Sequence, residues 1–258
     1  MDRRLKYVLL SLVGAAVVAA MAAVWSLNSG QRHEMTCTGL RVEIADDYDM
    51  VTQAEVEHFL RNDYGPYIGQ RLDSVNLDRI ERILDGKGAI LKAEAYTTKD
   101  SLLHILVTQR RPVVRFQRSD GGFYSDAEGF LFPLQENFSP MVPIIDGDIP
   151  LTQALDYKGL PQDERQAEWL GKILGMISYM ASHDPWTENI VQITVQKDGD
   201  IVMIPRKGKE RFIFGPPTDV ESKFRRMADY YGTILPEKGE GYYSTVNLKF
   251  SKQIVCRK

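Results

Sequence analysis

Four histidines, His33, His58, His104 and His183, are the side chains of this sequence best suited to move protons or hold metals. They lie in unrelated segments, and none belongs to an H-E-x-x-H pair or another spacing that would set two imidazoles on one ion. His58 and His104 read as surface or strand-edge residues. No G-x-S-x-G elbow and no S-x-x-K motif offers an activated serine. Gly86-Lys87-Gly88 and Gly239-Glu240-Gly241 are fragments of phosphate-loop patterns and read as turns. Asp46, Asp47 and Asp49 supply oxygens that suit Ca²⁺, but the glycine and distal glutamate of an EF-hand loop are missing, so they read as a solvated strand exit. Cys37 and Cys256 either bridge in an oxidising compartment or stay two small apolar residues, and the sequence leaves that choice open. The residues point to no catalytic site, no metal and no cofactor.

The elements that carry these residues begin with one apolar stretch, Tyr7 to Leu27, preceded by Arg3, Arg4 and Lys6. About twenty residues at ~1.5 Å rise span a hydrocarbon core of roughly 30 Å. The basic residues place the N-terminus in the cytosol and everything after about residue 30 outside the cytoplasmic membrane. A cleaved signal peptide ending near Ala20-Met21-Ala22 is the alternative, although the run continues through Ala23, Val24, Trp25 and Leu27. Of 258 residues, about 225 remain, enough for two modest domains. A net charge of −3 gives no basic footprint for nucleic acid.

Leu40, Val42 and Ile44 alternate with polar residues as in a half-buried strand. Thr52-Gln53-Ala54-Glu55 has the form of a capping box opening a short helix, and Tyr64-Gly65-Pro66 stops it. A second helix follows Asn76. Two strands come next, with Ile90, Lys92, Glu94 and Tyr96 facing one way and Leu91, Ala93 and Ala95 the other, then Leu103, Ile105 and Val107. The result is a βααββ unit over residues ~37–110. Beyond Arg110-Arg111-Pro112 the chain is strand-rich. Short strands are expected around Val114, Phe123 and Leu131, with Gly121-Gly122 as a turn. A core helix is expected over Asp163–Ser182, and a second is capped by Thr218. Tyr242–Phe250 and Gln253–Cys256 close the chain as strands. In the first, Val246, Leu248 and Phe250 face the core, while Tyr243, Thr245, Asn247 and Lys249 face solvent.

In this order the elements resemble the FtsQ/DivIB family of bacterial cell-division proteins. The phrases that carry the resemblance are Val107-Thr108-Gln109-Arg110-Arg111-Pro112, Tyr124-Ser125-Asp126-Ala127-Glu128-Gly129-Phe130, Pro143 with Gly147, and Val246–Val255. Gln109 stands where many members have Glu. The resemblance implies an α+β fold: a cytosolic stub over 1–6, a transmembrane helix over 7–27 and a linker over 28–36. A POTRA-like βααββ domain over 37–111 and a mixed β-sheet domain with flanking helices over 112–258 complete it. It implies a non-enzymatic, single-pass inner-membrane scaffold at the division septum, its bulk periplasmic, which binds FtsB-like and FtsL-like partners. Carried over by position, the partner-binding residues are Tyr243, Thr245, Asn247, Lys249, Phe250, Gln253, Ile254 and Val255. An anchored or secreted envelope enzyme is the competing expectation.

Overall fold

The structure, a computed structural model, describes residues 14–23, 35–136, 138–183 and 186–258. Two compact units divide the chain, Met1–Gln109 and Arg110–Lys258. Residues 14–23 are helical. No helix among the described residues is long and apolar enough to cross a membrane. The rest of the expected span, 7–13 and 24–27, lies outside the described residues.

The first unit is β1 (Gly39–Ile44), α1 (Gln53–Phe59), α2 (Leu77–Asp85), β2 (Ile90–Thr97) and β3 (Leu102–Gln109). Local chemistry sets both helix starts. Thr52 accepts from Glu55 N while the Glu55 carboxylate accepts from Thr52 N, closing the capping box. Asn76 caps α2 by accepting from Arg79 N. Helix α1 runs on through a π-turn, Leu60–Tyr64, and stops at Gly65. The sheet has the order β1-β3-β2, with β1 parallel and β2 antiparallel to β3. Val56, Leu60, Ile80 and Leu84 of the helical segments and Leu103, Ile105 and Val107 of β3 are buried.

Two expectations for this unit are corrected. A bulge between Ile90 and Lys92 resets the alternation of β2, so Ile90 is buried and Leu91 is exposed. His104 is not a surface residue. It is 7% exposed, stacks on Tyr96 with ring centroids 5.0 Å apart, and meets Asp100 Oδ2 through Nε2 at 2.9 Å.

The second unit is built on one nine-stranded sheet: β4 (Val114–Arg118), β5 (Gly121–Ser125), β6 (Leu131–Pro133), β7 (Ile144–Gly147), β8 (Ile190–Val195), β9 (Ile201–Pro205), β10 (Arg211–Gly215), β11 (Thr245–Asn247) and β12 (Val255–Arg257). Its order is β12-β11-β10-β9-β8-β7-β4-β5-β6. Three pairings are parallel, β4 with β7, β7 with β8, and β10 with β11. Gly147 is what lets β7 lie against β8. Its φ is +90°, and a Cβ there would fall 2.2 Å from Val195 O. Helix α3 (Glu164–Ser182) is capped by Asp163, which accepts from Gln166 N. Its buried stripe of Leu170, Ile173, Ile177 and Met180 joins one apolar core with Ile145, Ile193, Met203 and Phe212 of the sheet. A short helix, α4 (Trp186–Asn189), leads into β8, and after β10 come α5 (Val220–Asp229), a π-turn over Tyr230–Ile234, and α6 (Leu235–Lys238).

Here too some boundaries differ from the sequence reading. Gly121 and Gly122 open β5 rather than forming its turn, which falls on Ser119-Asp120. Asp219, with φ +50°, precedes α5 in place of Thr218 and makes no side-chain cap bond. The closing strands are short. β11 covers only Thr245–Asn247 of the expected Tyr242–Phe250, and β12 lies at Val255–Arg257 instead of Gln253–Cys256.

Candidate docking edge at the end of the sheet

Strand β12 borders the nine-stranded sheet, and among the described residues no strand lies on its outer side. Such a border carries backbone donors and acceptors ready to pair with a further strand. Cross-strand register sorts the neighbouring side chains onto two faces. Met203, Phe212, Val246 and Cys256 lie in one row facing the helices. Val202, Ile213, Asn247 and Val255 form the row on the opposite face, all of them half-buried.

The chain leaves β11 because several groups pull it aside. Leu248 N still donates to Ile213 O at 2.9 Å. Asn247 Oδ1 then accepts from Lys249 N at 2.9 Å, a turn-forming contact. The Lys249 stem crosses Gly215, whose φ is +78° and whose Cβ, if present, would sit 2.7 Å from Lys249 Cγ. The Lys249 ammonium pairs with Asp200, and that hydrogen bond first, then the carboxylate's charge, raises its pKa. Beneath the bend lies Arg226 of α5. Its guanidinium donates to Leu248 O at 2.7 Å, to Ser251 O at 3.2 Å and to Ser222 Oγ at 2.9 Å. One buried arginine therefore grips both ends of the turn that returns the chain to β12. At the far end, Ser244 N donates to Arg257 O at 2.8 Å.

The eight residues expected at the partner site do not form one surface. Thr245, Asn247 and Val255 share the open face. Lys249, Phe250 and Gln253 lie on the exposed turn. Tyr243 and Ile254 pack against the core. Phe250, expected to face inward, is 47% exposed because the strand has already ended. Arg226 was not among the expected residues. In the sequence it is one of two adjacent arginines between Phe224 and Met227, and nothing in that pattern says which of the two points inward. Cys37 and Cys256 are free thiols, and burial raises the pKa of Cys256. Among the described residues no group of three or more His, Cys, Asp and Glu side chains is placed to hold a metal ion.

The phrases that carry the family resemblance also meet in space. Arg110 Nη1 donates to Asp126 Oδ2 at 2.5 Å in a buried pair, and its guanidinium lies 3.7 Å from the centre of the Phe130 ring. Asp126 Oδ1 in turn accepts from the amides of Glu128 and Phe130, shaping the turn before β6. A family profile described as FtsQ/DivIB, C-terminal related, matches residues 111–257, more than half of the chain. The chain belongs to the FtsQ/DivIB family. A second profile, described as a POTRA-like domain, matches residues 35–108. Among curated proteins none matches. Membership makes this a cell-division protein of a family that is generally non-enzymatic. The Gln109 departure from the FtsQ/DivIB phrase has a local reason. Its Oε1 accepts from Val51 N at 2.7 Å while its Nε2 donates to Asp46 Oδ1 at 2.7 Å, and an ionised glutamate has no proton for the second bond.

Proposed function

We propose that this FtsQ/DivIB-family chain is a non-enzymatic scaffold of the bacterial division machinery. It is anchored in the inner membrane by residues 7–27, with its bulk in the periplasm at the septum, and it receives FtsB-like and FtsL-like single-span partners along β12. The observation that carries this reading is the unpaired outer border of β12 beside the exposed turn. A strand laid there gains main-chain hydrogen bonds from the border and side-chain contacts from Thr245, Asn247 and Val255 on the open face. Phe250, half in solvent on the adjoining turn, supplies an apolar anchor of the kind that dominates binding energy at interfaces.

The test is capture of the FtsB and FtsL homologues of the same cell by the full chain, compared with Phe250→Asp. Because Phe250 is exposed, the variant keeps its fold, checked by circular dichroism, and loses roughly tenfold or more in affinity, about 1.4 kcal/mol. Unchanged capture by a folded variant removes Phe250 from the interface. A fluorescent fusion to the N-terminus tests the location. A band at midcell is expected, and uniform envelope label, or a fusion cut near Ala22, refutes the anchored septal scaffold.

A further inference from the structure

Glu210 is a carboxylate placed where a charge is costly. It immediately precedes β10 and is 1% exposed. It extends the helix-facing row of that strand, in alternation with Phe212 and Phe214. Its Oε2 accepts the backbone N–H of Lys209 at 3.0 Å and its buried Oε1 has no hydrogen-bond partner, while the Tyr231 hydroxyl stands close enough that burial first, then the Glu210 charge and hydrogen bonding, raise the tyrosine's pKa. No cation among the described residues forms an ion pair with it. A buried carboxylate in that condition asks for a cation.

The surroundings say which cation. Glu210 lines a cleft of about 420 Å³ whose walls include Trp186, Pro205, Tyr231 and Leu235, with Glu240 as a second carboxylate and Lys207, which makes no ion pair with Glu210, as a cation on the same wall. Gly208 has φ +104°, and a Cβ there would lie 2.5 Å from Glu210 Oε2, so glycine keeps the backbone close to the carboxylate. Tyr231 stands on the π-turn Tyr230–Ile234, a distortion found often at functional sites. Aromatic walls beside a carboxylate suit a guanidinium better than an ammonium. The planar, weakly hydrated guanidinium stacks on rings and forks onto carboxylate oxygens.

The cleft also lies near the docking border. Arg211 N, one residue on from Glu210, donates to Ser244 O, and Ser244 N donates to Arg257 O, so two hydrogen-bonded steps lead from Glu210 to β12. We infer that this cleft takes an arginine side chain from the protein partner that docks on β12, the guanidinium pairing with Glu210 against Trp186 and Tyr231. For the identity of its occupant the inference rests on the docking function proposed above.

The experiment titrates the full chain in mild detergent with N-acetyl-arginine methylamide and, separately, with its neutral citrulline counterpart. The readout is the Trp186 indole N–H resonance, assigned by loss of the signal in Trp186→Phe. Saturable arginine binding that moves this signal is expected, with citrulline roughly tenfold weaker or worse. Glu210→Gln is expected to weaken the arginine probe by a similar factor. Equal binding of the two probes, or no movement of the Trp186 signal by either, overturns the inference. The comparison on the unaltered chain decides the matter even where Glu210→Gln fails to fold. Phe250→Asp separates the two ideas, since loss of partner capture with probe binding intact belongs to the border, whereas loss of arginine selectivity belongs to the cleft.

Discussion

Replacing Arg226 by methionine keeps an apolar stem in α5 and deletes the group that holds the β11–β12 turn. Three acceptors lose a donor, Leu248 O, Ser251 O and Ser222 Oγ. The two serines are exposed and regain water, whereas Leu248 is fully buried, so the penalty concentrates on its carbonyl. Leaving one buried acceptor unsatisfied costs about 1–3 kcal/mol, and the bond it loses was charge-assisted. Part of this is offset because Arg226 itself is desolvated, with a buried Nε that has no partner. A net loss of about 2 kcal/mol follows, most of it local to the turn and β12. Hydrogen exchange on the full chain reads it directly, with the amides of residues 244–257 losing protection by roughly thirtyfold while those of β8 and β9 keep theirs. Partner capture falls with them, and Arg226→Lys, which keeps one charge but loses the fork, lies between. A folded Arg226→Met chain with unchanged protection in β12 and a loss under about 0.5 kcal/mol in urea refutes the clamp.

Gln109→Glu sets a carboxylate against Asp46 in place of the amide donor. At an effective dielectric of about 20 two charges ~4 Å apart repel by about 4 kcal/mol, and the partial exposure of Asp46 reduces this to about 2. The new carboxyl's folded pKa is raised above its unfolded value of about 4.3, so the deficit is full at pH 7 and shrinks at pH 4, as urea unfolding at the two pH values will show. A deficit that ignores pH removes repulsion as its cause. Gly147→Ala combines positive φ with a Cβ driven onto Val195 O and is expected to cost about 3 kcal/mol in urea. Gly171→Ala, in the middle of α3 with open space around its Cβ, is expected to stabilise by about 0.5–1 kcal/mol, and the opposite order of the two glycine variants would sink the argument. Asp100 has its carboxyl pKa lowered from 3.8 to about 2, first by the Thr98 hydroxyl, then by Leu102 N and His104. Its contribution is complete above 3.8 and lost as pH falls towards 2. Carbon NMR of the carboxyl should show the low value and a rise towards 3.8 in Thr98→Val, incomplete because Leu102 N and His104 remain, and a normal value in the unaltered chain refutes the contact.

Where the chemistry was local, the sequence could be read. The Thr52–Glu55 box, the helix that follows Asn76 and the Leu170–Met180 stripe depend on residues three or four apart, and all three stand in the structure. The βααββ order of the first unit followed from those periods, and the α+β class of the whole from the family resemblance. What escaped was non-local. The insertion of β7 between β4 and β8 joins Ile145 to Phe116 and Ile193, partners that no periodicity announces. The β2 bulge reverses Leu91 by one inserted residue. Phe250 looked like the end of an alternating strand, but the Asn247 turn and the Arg226 grip ended that strand three residues earlier. His104 is buried by Tyr96 and Asp100 together, and the distance of each along the chain carries no sign of it. Glu210 was invisible for the same reason, because an acidic residue in a basic, glycine-containing loop reads as solvated until the loop folds over it.

The β10–β11 ladder, only three residue pairs long, sets how this molecule carries mechanical load. A tether drawn along the direction of β12 shears the short pairings side by side, and the remainder of the sheet shares the tension. A tether drawn across the border instead peels the β11–β12 hairpin one pair at a time. Three parallel pairs, the Leu248 N–Ile213 O bond just beyond them and the arginine fork then yield before the hairpin comes away, while the five-pair β4–β5 and β8–β9 ladders stay closed. The border is thus a breakaway coupling, firm under a pull in line and yielding under a pull from the side.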